Sequence, residues 1–306
     1  MTKKANYGIA DWYGRLYRTM TQAERLEVLD DYKAKTKKPC PFKNDMPELA
    51  PKSGTHCSKV GGVCSIRHFD EDQDRIKLGP IAATCPNRFL EAGSVFETIG
   101  EALLGTKSPI IVKEIPFLER IVAADPSTGS ALNADREDVG RIDMVCVHPD
   151  TSNLRWCAVE LQAVYFSGPA MTKDFKLIQG HTANSLPLPV KGRRPDFRSS
   201  GPKRLMPQLQ IKVPTLRRWG KKMAVVVDKP FFDALGPMDK VSDLSNSDIV
   251  WIVVRFDEDF QKGRSKLVID DIRQTTLERA VEGLTAGSPT TLSNFEIKLL
   301  AKINTA

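Results

Sequence analysis

Two apolar segments separated by a turn, between residues 138 and 166, constrain the fold of this chain more than any other feature. Residues 139–148 are rich in β-branched and apolar side chains, and residues 156–165 are apolar again. The sequence from 148 to 153, His-Pro-Asp-Thr-Ser-Asn, is typical of a turn. The pattern predicts two neighbouring strands, which carry polar groups that core strands rarely contain.

These polar groups fall where they could share a metal ion. Alternate residues of a strand share a face, so Glu160 and Gln162 lie on one face, roughly 7 Å apart. Asp143 lies on the other predicted strand, and a hairpin would bring its carboxylate to the same end of the sheet. Two close carboxylates repel each other unless a cation lies between them, and their oxygens suit a divalent cation. A surface hairpin with one polar face is the alternative interpretation.

Residues 35–86 differ from the rest of the chain in composition, because Pro, Gly, Ser and Lys are frequent and apolar periodicity is absent. This segment contains four of the six cysteines, namely Cys40, Cys57, Cys64 and Cys85. A loop-rich stretch of about 50 residues needs something to hold it together. The first residues contain lysines but no apolar signal core, so a thiolate-bound metal, zinc or iron, is favoured over disulfides. His56 and His68 could replace a cysteine ligand, and four unrelated buried thiols are the alternative. Cys146 and Cys157 are expected in the core of the predicted strands.

Positive charge is concentrated in one segment. The chain has a formal net charge of +7. Residues 191–222 contain eleven Lys or Arg and one acid, a net charge of +10, so the remainder sums to −3. Aromatic and apolar residues are interleaved with these cations, which favours a nucleic-acid-binding surface over a solvated charge run. No apolar run approaches the roughly 20 residues of a membrane span, so we expect a cytoplasmic protein that does not enter a membrane.

Local patterns predict the remaining elements. Apolar spacing predicts a helix over residues 8–20, and Thr21 with Glu24 forms a capping box for a second helix. The next predicted elements are a helix at 94–104, a strand at 108–118, a polar connection at 122–137 and an irregular segment at 166–201. They are followed by a helix at 204–219 that is bent or interrupted at Pro214, buried strands at 223–227 and 249–256, and helices near 275–284 and 292–303.

Several of these motifs together resemble restriction endonucleases of the NotI and EagI type. The shared features are CPF at Cys40, the C-x6-C pair at Cys57 and Cys64, CPNR at Cys85, and a strand Asp followed by a strand Glu-Leu-Gln. The resemblance covers about residues 40–165. It implies an α/β fold in which helices flank a mixed central sheet, the PD-(D/E)XK nuclease core, after a loop-rich four-cysteine segment. The expected domains are residues 1–92, with N-terminal helices and the cysteines, and residues 93–306, with a basic DNA-contacting insertion near 166–222.

The resemblance also implies roles for individual residues. It assigns Cys40, Cys57, Cys64 and Cys85 to a structural iron or zinc site. It assigns Asp143 and Glu160 to a catalytic Mg²⁺ ion, with Gln162 at the position that is usually Lys, and Glu114 as an additional acid that is farther along the chain from Asp143 than the family pattern suggests. A neutral amide at position 162 cannot supply positive charge.

The implied function is that of a type II restriction endonuclease, a homodimer that cuts double-stranded DNA at a GC-rich palindrome. The predicted DNA-binding residues are Arg193, Arg194, Arg198, Lys203, Arg204, Arg217 and Arg218. One alternative is a non-catalytic DNA-binding protein with a metal-stabilised module. Another is a repair nuclease that selects DNA structure rather than sequence.

Overall fold

The computed structural model describes residues 6–46, 55–72, 75–121, 136–182, 185–285 and 290–304. The strands are β1 (Tyr7–Trp12), β2 (Arg15–Leu16), β3 (Val63–Asp72), β4 (Arg75–Ala83), β5 (Ile110–Ile121), β6 (Arg136–Val147), β7 (Trp156–Leu161), β8 (Phe166–Ser167), β9 (Arg194–Pro195), β10 (Met223–Asp228), β11 (Ile249–Asp259) and β12 (Arg264–Thr275). The α-helices are α1 (Gln22–Lys33), α2 (Pro41–Asn44), α3 (Ser94–Leu104), α4 (Thr172–Gly180), α5 (Phe197–Ser200), α6 (Met206–Arg218), α7 (Lys229–Asp233), α8 (Leu277–Thr285) and α9 (Leu292–Ile303).

A six-stranded mixed sheet, in the order β12-β11-β10-β7-β6-β5, forms the centre of the molecule. Strand β10 runs parallel to both β7 and β11, whereas the other pairs are antiparallel. Every residue of β10 is buried, because helices cover both faces of the sheet and a continuous apolar strand is stable only there. The predicted α/β class with a mixed sheet and flanking helices is therefore confirmed.

Two hydrophobic clusters cover the two faces of this sheet. Helix α3 contributes Val95 and Ile99 to the cluster that also holds Val226 of β10. Helices α6 and α8 pack on the opposite face, where Leu209 and Leu284 join Val225. The predicted helix at 94–104 agrees with α3. The helix predicted at 204–219 corresponds to α6, which continues through Pro214 and is not interrupted there.

The predicted helix over residues 8–20 is wrong. Residues 7–12 form β1, which pairs with β3, and a turn with positive φ at Tyr13 and Gly14 leads into β2. Ile9 and Trp12 are spaced as in a helix, but both are buried as members of a strand. Their pairing with residues more than fifty positions away decides the conformation, which local spacing does not reveal. The predicted capping box is confirmed, because both of its hydrogen bonds, between Thr21 and Glu24, are present at the N-terminus of α1.

The expectation of a loop-rich segment at 35–86 is also wrong in part. Strands β3 and β4 form a long antiparallel hairpin that joins β1 and β2 in a second sheet, ordered β2-β1-β3-β4. Residues 47–54 and 73–74 of this segment lie outside the described residues. The hairpin packs on α1 and α4 through a third cluster, in which Trp12 stacks on Phe175 with ring centroids 5.4 Å apart.

Some of the remaining predicted elements agree with the structure and others do not. The strand predicted at 108–118 is β5, and the two predicted C-terminal helices are α8 and α9. Most of the polar connection predicted at 122–137 lies outside the described residues, and β6 begins at Arg136. The segment 166–201, predicted to be irregular, contains β8, α4, β9 and α5. Its helix α4 belongs to the core of the N-terminal part, because Phe175 and Ile178 are buried there.

Candidate active site

The end of the β6–β7 ladder brings Asp143 and Glu160 together. The register pairs Met144 with Val159 and Val145 with Ala158. Continuing that register by one step places Asp143 opposite Glu160, beyond the last paired position. Residues opposite each other in an antiparallel pair share a face. Burial is the main cause that raises the pKa of Glu160, and the carboxyl group of Asp143 raises it further, so the two carboxyl groups are close neighbours.

Glu160 is a buried acid with a cationic partner. Its side chain is only 3% exposed, whereas Asp143 is exposed. Burial, which Asp143 reinforces and Lys212 opposes, raises the pKa of Glu160 to about 7. The Nζ atom of Lys212 lies 2.9 Å from Oε2 of Glu160 and donates a second hydrogen bond, 2.7 Å long, to Oε1 of Gln208. A cation bound by both carboxylates would relieve their repulsion and favour the ionised form of Glu160.

Gln162 lies one strand repeat beyond Glu160 and is buried. Its backbone N–H donates to the carbonyl of Val226 in β10, and its side-chain amide donates a 2.6 Å hydrogen bond to the carbonyl of Ala163. A cavity of about 430 Å³ opens at this end of the sheet. It is lined by Lys59, Thr84, Pro86, Glu160, Leu161, Gln162, Ala163, Tyr165, Arg204 and Gln208.

The N-terminal hairpin reaches this cavity because β4 ends against the large sheet. The carbonyl of Ala83 accepts a hydrogen bond from the backbone of Val164, and the backbone N–H of Ala83 donates to the buried carboxyl group of Asp228. These two bonds fix the chain just before Thr84, at the end of strands β7 and β10. The cysteine-containing part of the chain therefore forms one wall of the cavity.

Glu114 lies beside the acidic pair, with its side chain in contact with Arg141. Strand β5 pairs Lys113 with Met144 and Ile115 with Ile142, so Glu114 falls between these pairs, level with Asp143. Its φ of 56° is rare for a residue with a side chain and costs about 1–3 kcal/mol. The carboxylate lies 3.6 Å from Nη1 of Arg141, and both side chains are exposed. Glu114 is not among the described residues that line the cavity.

The four cysteines of the N-terminal segment come from separate parts of the chain but influence one another. The backbone N–H of Cys40 donates to the carbonyl of Thr55, and that of Cys57 donates to the carbonyl of Lys38, so two cysteines lie on adjacent extended segments. Burial raises the pKa of Cys57, Cys64 and Cys85. Cys85 interacts electrostatically with Cys40, Cys57 and Cys64, so the four cysteines lie in the same region of the N-terminal part.

Among the residues that the structure describes, neither the acidic side chains nor the thiols form a complete metal coordination shell. Within the described ranges, no group of three or more His, Cys, Asp or Glu side chains is positioned to hold a metal ion. The two remaining cysteines, Cys146 and Cys157, pair across β6 and β7 and are buried, as expected of core residues. The pKa of the Cys157 thiol is raised mainly by its interaction with Cys146 and, to a smaller extent, by burial.

The cations of the basic segment have different environments. Arg193 is fully buried, and its guanidinium donates to the carboxylate of Asp174 and to the carbonyls of Tyr7, Pro169 and Ala170. These contacts tie β9 to the N-terminal part and leave Arg193 no exposure to DNA. Arg217 is partly exposed and pairs with Asp248 and Glu278.

The other predicted DNA-binding residues are exposed on the surface; they are Arg194, Arg198, Lys203, Arg204 and Arg218. Among them, Arg204 lines the cavity and stacks on Tyr165, with its guanidinium carbon 3.6 Å from the ring centroid. The structure therefore places at least one exposed cation of the basic segment next to Glu160 and Gln162.

Sequence reasoning missed Lys59, Gln208 and Lys212 as residues of this site. Lys212 carried a recognisable signal, because it falls on the inward stripe of α6 that contains Leu209 and Val213. A lysine at a core position of an amphipathic helix is unusual and requires a partner. Gln208, four residues earlier, lies on the same side of the helix. Lys59 carried no such signal, because its position depends on how β4 docks against the large sheet.

Comparison with known protein families identifies one to which this chain belongs. The model of the family described as "Restriction endonuclease NotI" matches residues 27–267 of the chain. The chain belongs to this family, which implies a site-specific DNA endonuclease, a hydrolase with DNA as its substrate. No match was found among curated proteins. In the part of the chain that the structure describes, no helix has the length and apolar character to cross a membrane.

Proposed function

We propose that this protein is a type II restriction endonuclease that hydrolyses double-stranded DNA with Mg²⁺ held by Asp143 and Glu160. The observation that carries the proposal is the contact between these two carboxyl groups at the open end of the β6–β7 ladder. The mixed sheet with helices on both faces supports a core of the PD-(D/E)XK type. The neighbouring cavity, about 430 Å³ in volume, offers room for a DNA strand.

The donor set fits Mg²⁺ better than a metal held entirely by protein. Proteins usually bind Mg²⁺ through one or two carboxylates, and water and substrate phosphate oxygens complete the octahedron. Two adjacent carboxylates, one of them exposed, meet that requirement, which explains why the described side chains need not form a larger cluster. When bound, Mg²⁺ would polarise the scissile phosphate and make an attacking water more acidic.

The chain's own residues would perform the other tasks. Gln162 can donate a hydrogen bond to the attacking water if its amide leaves the carbonyl of Ala163. Arg204 and Lys59 line the cavity and would bind phosphate oxygens of the DNA backbone. Glu114, level with Asp143 on the next strand, would orient the water or hold a second cation after it separates from Arg141.

We further propose that Cys40, Cys57, Cys64 and Cys85 bind a structural iron or zinc ion. Their mutual interactions support this assignment, because four thiolates are a complete tetrahedral donor set. Thiolates that occupy all four positions leave none for water or substrate, so such a site would be structural. The metal would fix the loop that carries Lys59. An absorbance spectrum separates the two metals, since a ferric tetrathiolate site is coloured and a zinc site is colourless.

DNA would approach along the exposed cations of the basic segment. Arg194, Arg198, Lys203 and Arg218 would supply salt-dependent attraction to phosphates, and some arginines would read guanines in the major groove. A homodimer acting on a GC-rich palindrome completes the proposal, since a two-fold protein axis matches a two-fold site. Sequencing the ends of a digested phage genome would identify the site. Light scattering would give the number of chains.

Asp143→Asn is the direct test of catalysis. The variant should lose Mg²⁺-dependent cleavage and retain DNA binding, because it removes one ligand charge without changing the side-chain shape. Asp150→Asn is a matched control, since Asp150 is an exposed aspartate in the turn between the same two strands. A wild-type protein that binds DNA but cuts no GC-rich substrate would favour a non-catalytic DNA-binding protein. Cleavage of branched DNA without regard to sequence would favour a repair nuclease.

A further inference from the structure

We propose that Lys212, which projects from helix α6, is the cationic catalytic residue of this site. Its ammonium group would donate a hydrogen bond to the attacking water or to a non-bridging phosphate oxygen as negative charge develops there. The neutral Gln162, directly after the end of strand β7, stands where a lysine would act, so the positive charge is supplied from the helix packed over the strand. This inference rests on the proposed nuclease function.

The ammonium group of Lys212 lies next to Glu160, the proposed metal ligand. The Nζ atom of Lys212 lies 2.9 Å from Oε2 of Glu160 and 2.7 Å from Oε1 of Gln208. An ammonium has three N–H groups. Among the described residues these are the two hydrogen bonds that Nζ makes, so one N–H remains for a ligand. Glu160 and Gln208 both line the cavity proposed to hold DNA.

Burial of Lys212 is poorly explained by stability alone. The residue is 6% exposed and occupies the same helix stripe as Leu209, Val213 and Leu216, which are core residues. Replacing a buried ion pair with apolar side chains is often neutral or stabilising. A charged pair at a core position, with a second polar partner in Gln208, is therefore better explained by chemistry at the site.

The chemical step balances with water as the second reactant. The water oxygen forms a bond to phosphorus while the bond from phosphorus to one ester oxygen of the DNA breaks. The water gives up its proton to solvent, and the departing oxygen takes a proton from solvent, which leaves a phosphate monoester and a hydroxyl group. Lys212 stays protonated throughout and stabilises the charge on the phosphoryl oxygens.

If Lys212 only neutralises Glu160, its removal should have a different effect on cleavage than if Lys212 acts on the reacting atoms. If Lys212 only neutralises Glu160, its removal takes away a cation that competes with Mg²⁺. The variant would then need less Mg²⁺ and would cleave at the wild-type rate once Mg²⁺ is saturating. If Lys212 acts on the reacting atoms, saturating Mg²⁺ cannot restore the rate. Loss of one such donor typically lowers the rate by about 10²–10³-fold.

The experiment measures single-turnover cleavage by Lys212→Met over a series of Mg²⁺ concentrations, and DNA binding by fluorescence anisotropy with Ca²⁺ in place of Mg²⁺. We expect a rate at least about 100-fold below wild type at saturating Mg²⁺, with DNA affinity retained. Lys229→Met is the matched control, because Lys229 pairs with Asp233 at the same distance of 2.9 Å and both of these side chains are exposed. A wild-type rate for Lys212→Met at saturating Mg²⁺ would overturn the inference.

A second variant keeps the inference testable if Lys212→Met does not fold, which a circular dichroism melt would show. Gln208→Met keeps the ion pair but removes the other partner that orients Nζ. We expect a fall of about tenfold in the saturated rate, with the half-saturating Mg²⁺ concentration unchanged. An unchanged rate would overturn the inference. If wild type itself does not cleave DNA while Asp143→Asn still binds it, the proposed nuclease function fails, which is a separate outcome.

Discussion

Acidification should weaken Mg²⁺ binding, because Glu160 must lose its proton before it can coordinate a cation. Burial raises the pKa of Glu160 from 4.5 to about 7, and the neighbouring Asp143 adds to this effect. A carboxyl group with this pKa is about nine-tenths ionised one pH unit above it and about one-tenth ionised one unit below it. We therefore expect the half-saturating Mg²⁺ concentration to rise about tenfold between about pH 8 and pH 6.

The raised pKa of Glu160 also makes the stability of the metal-free protein depend on pH. Because the folded-state pKa of Glu160 lies above that of the unfolded chain, folding favours the protonated form. The corresponding contribution to stability is present below the unfolded pKa of 4.5 and is lost as the pH rises through about 7. Mg²⁺ should therefore stabilise the fold more at alkaline pH than at acidic pH.

The assay is single-turnover DNA cleavage over a series of Mg²⁺ concentrations, repeated at about pH 6, 7 and 8 at constant ionic strength. Calorimetry in two buffers with different ionisation enthalpies would measure proton release on Mg²⁺ binding. Asp150→Asn should leave the pH dependence unchanged, because hydrogen bonds from Ser152 hold the pKa of this exposed carboxyl low. A half-saturating Mg²⁺ concentration that is equal at all three pH values would refute the reasoning.

Three further predictions concern stability and binding. Arg88→Met should lower the free energy of unfolding by about 3–5 kcal/mol, measured by urea denaturation, because it leaves the buried carboxylate of Asp11 without its cation. Arg194→Ala should weaken DNA binding and reduce the salt slope by about one, whereas Arg193→Ala should lower the melting temperature, because Arg193 is buried. An unchanged salt slope for Arg194→Ala would contradict the proposed DNA-binding surface. Cys57→Ser should lower the content of iron or zinc measured by mass spectrometry, and full retention would contradict the four-cysteine site.

Elements with strong local patterns were predictable from sequence. The β6–β7 hairpin and α3 have apolar patterns that tertiary contacts reinforce, β10 is a continuous apolar run, and the structure confirms all three. Strand β1 was not predictable, because its apolar spacing also fits a helix and its partner β3 is distant in sequence. Register and pairing decide such segments, and neither is encoded locally.

The candidate site was predictable only in part. The sequence placed Asp143 and Glu160 on adjacent strands, and the structure brings them into contact. Charge counting could not separate Arg193, which is buried against Asp174, from Arg204, which faces the cavity. The position of Lys212 on the inward stripe of its helix indicated that it has a partner, but the sequence could not identify that partner as Glu160, which lies on a strand that packs against the helix only in the folded protein.

Crystals soaked with Mn²⁺ in the presence of uncleaved DNA would test the central claim most directly. Anomalous scattering locates Mn²⁺, which prefers the same carboxylate and water ligands as Mg²⁺. The expected result is a peak between Asp143 and Glu160, about 2.1 Å from an oxygen of each carboxylate. A peak bound elsewhere, with these two carboxylates outside its coordination shell, would contradict the proposed mechanism.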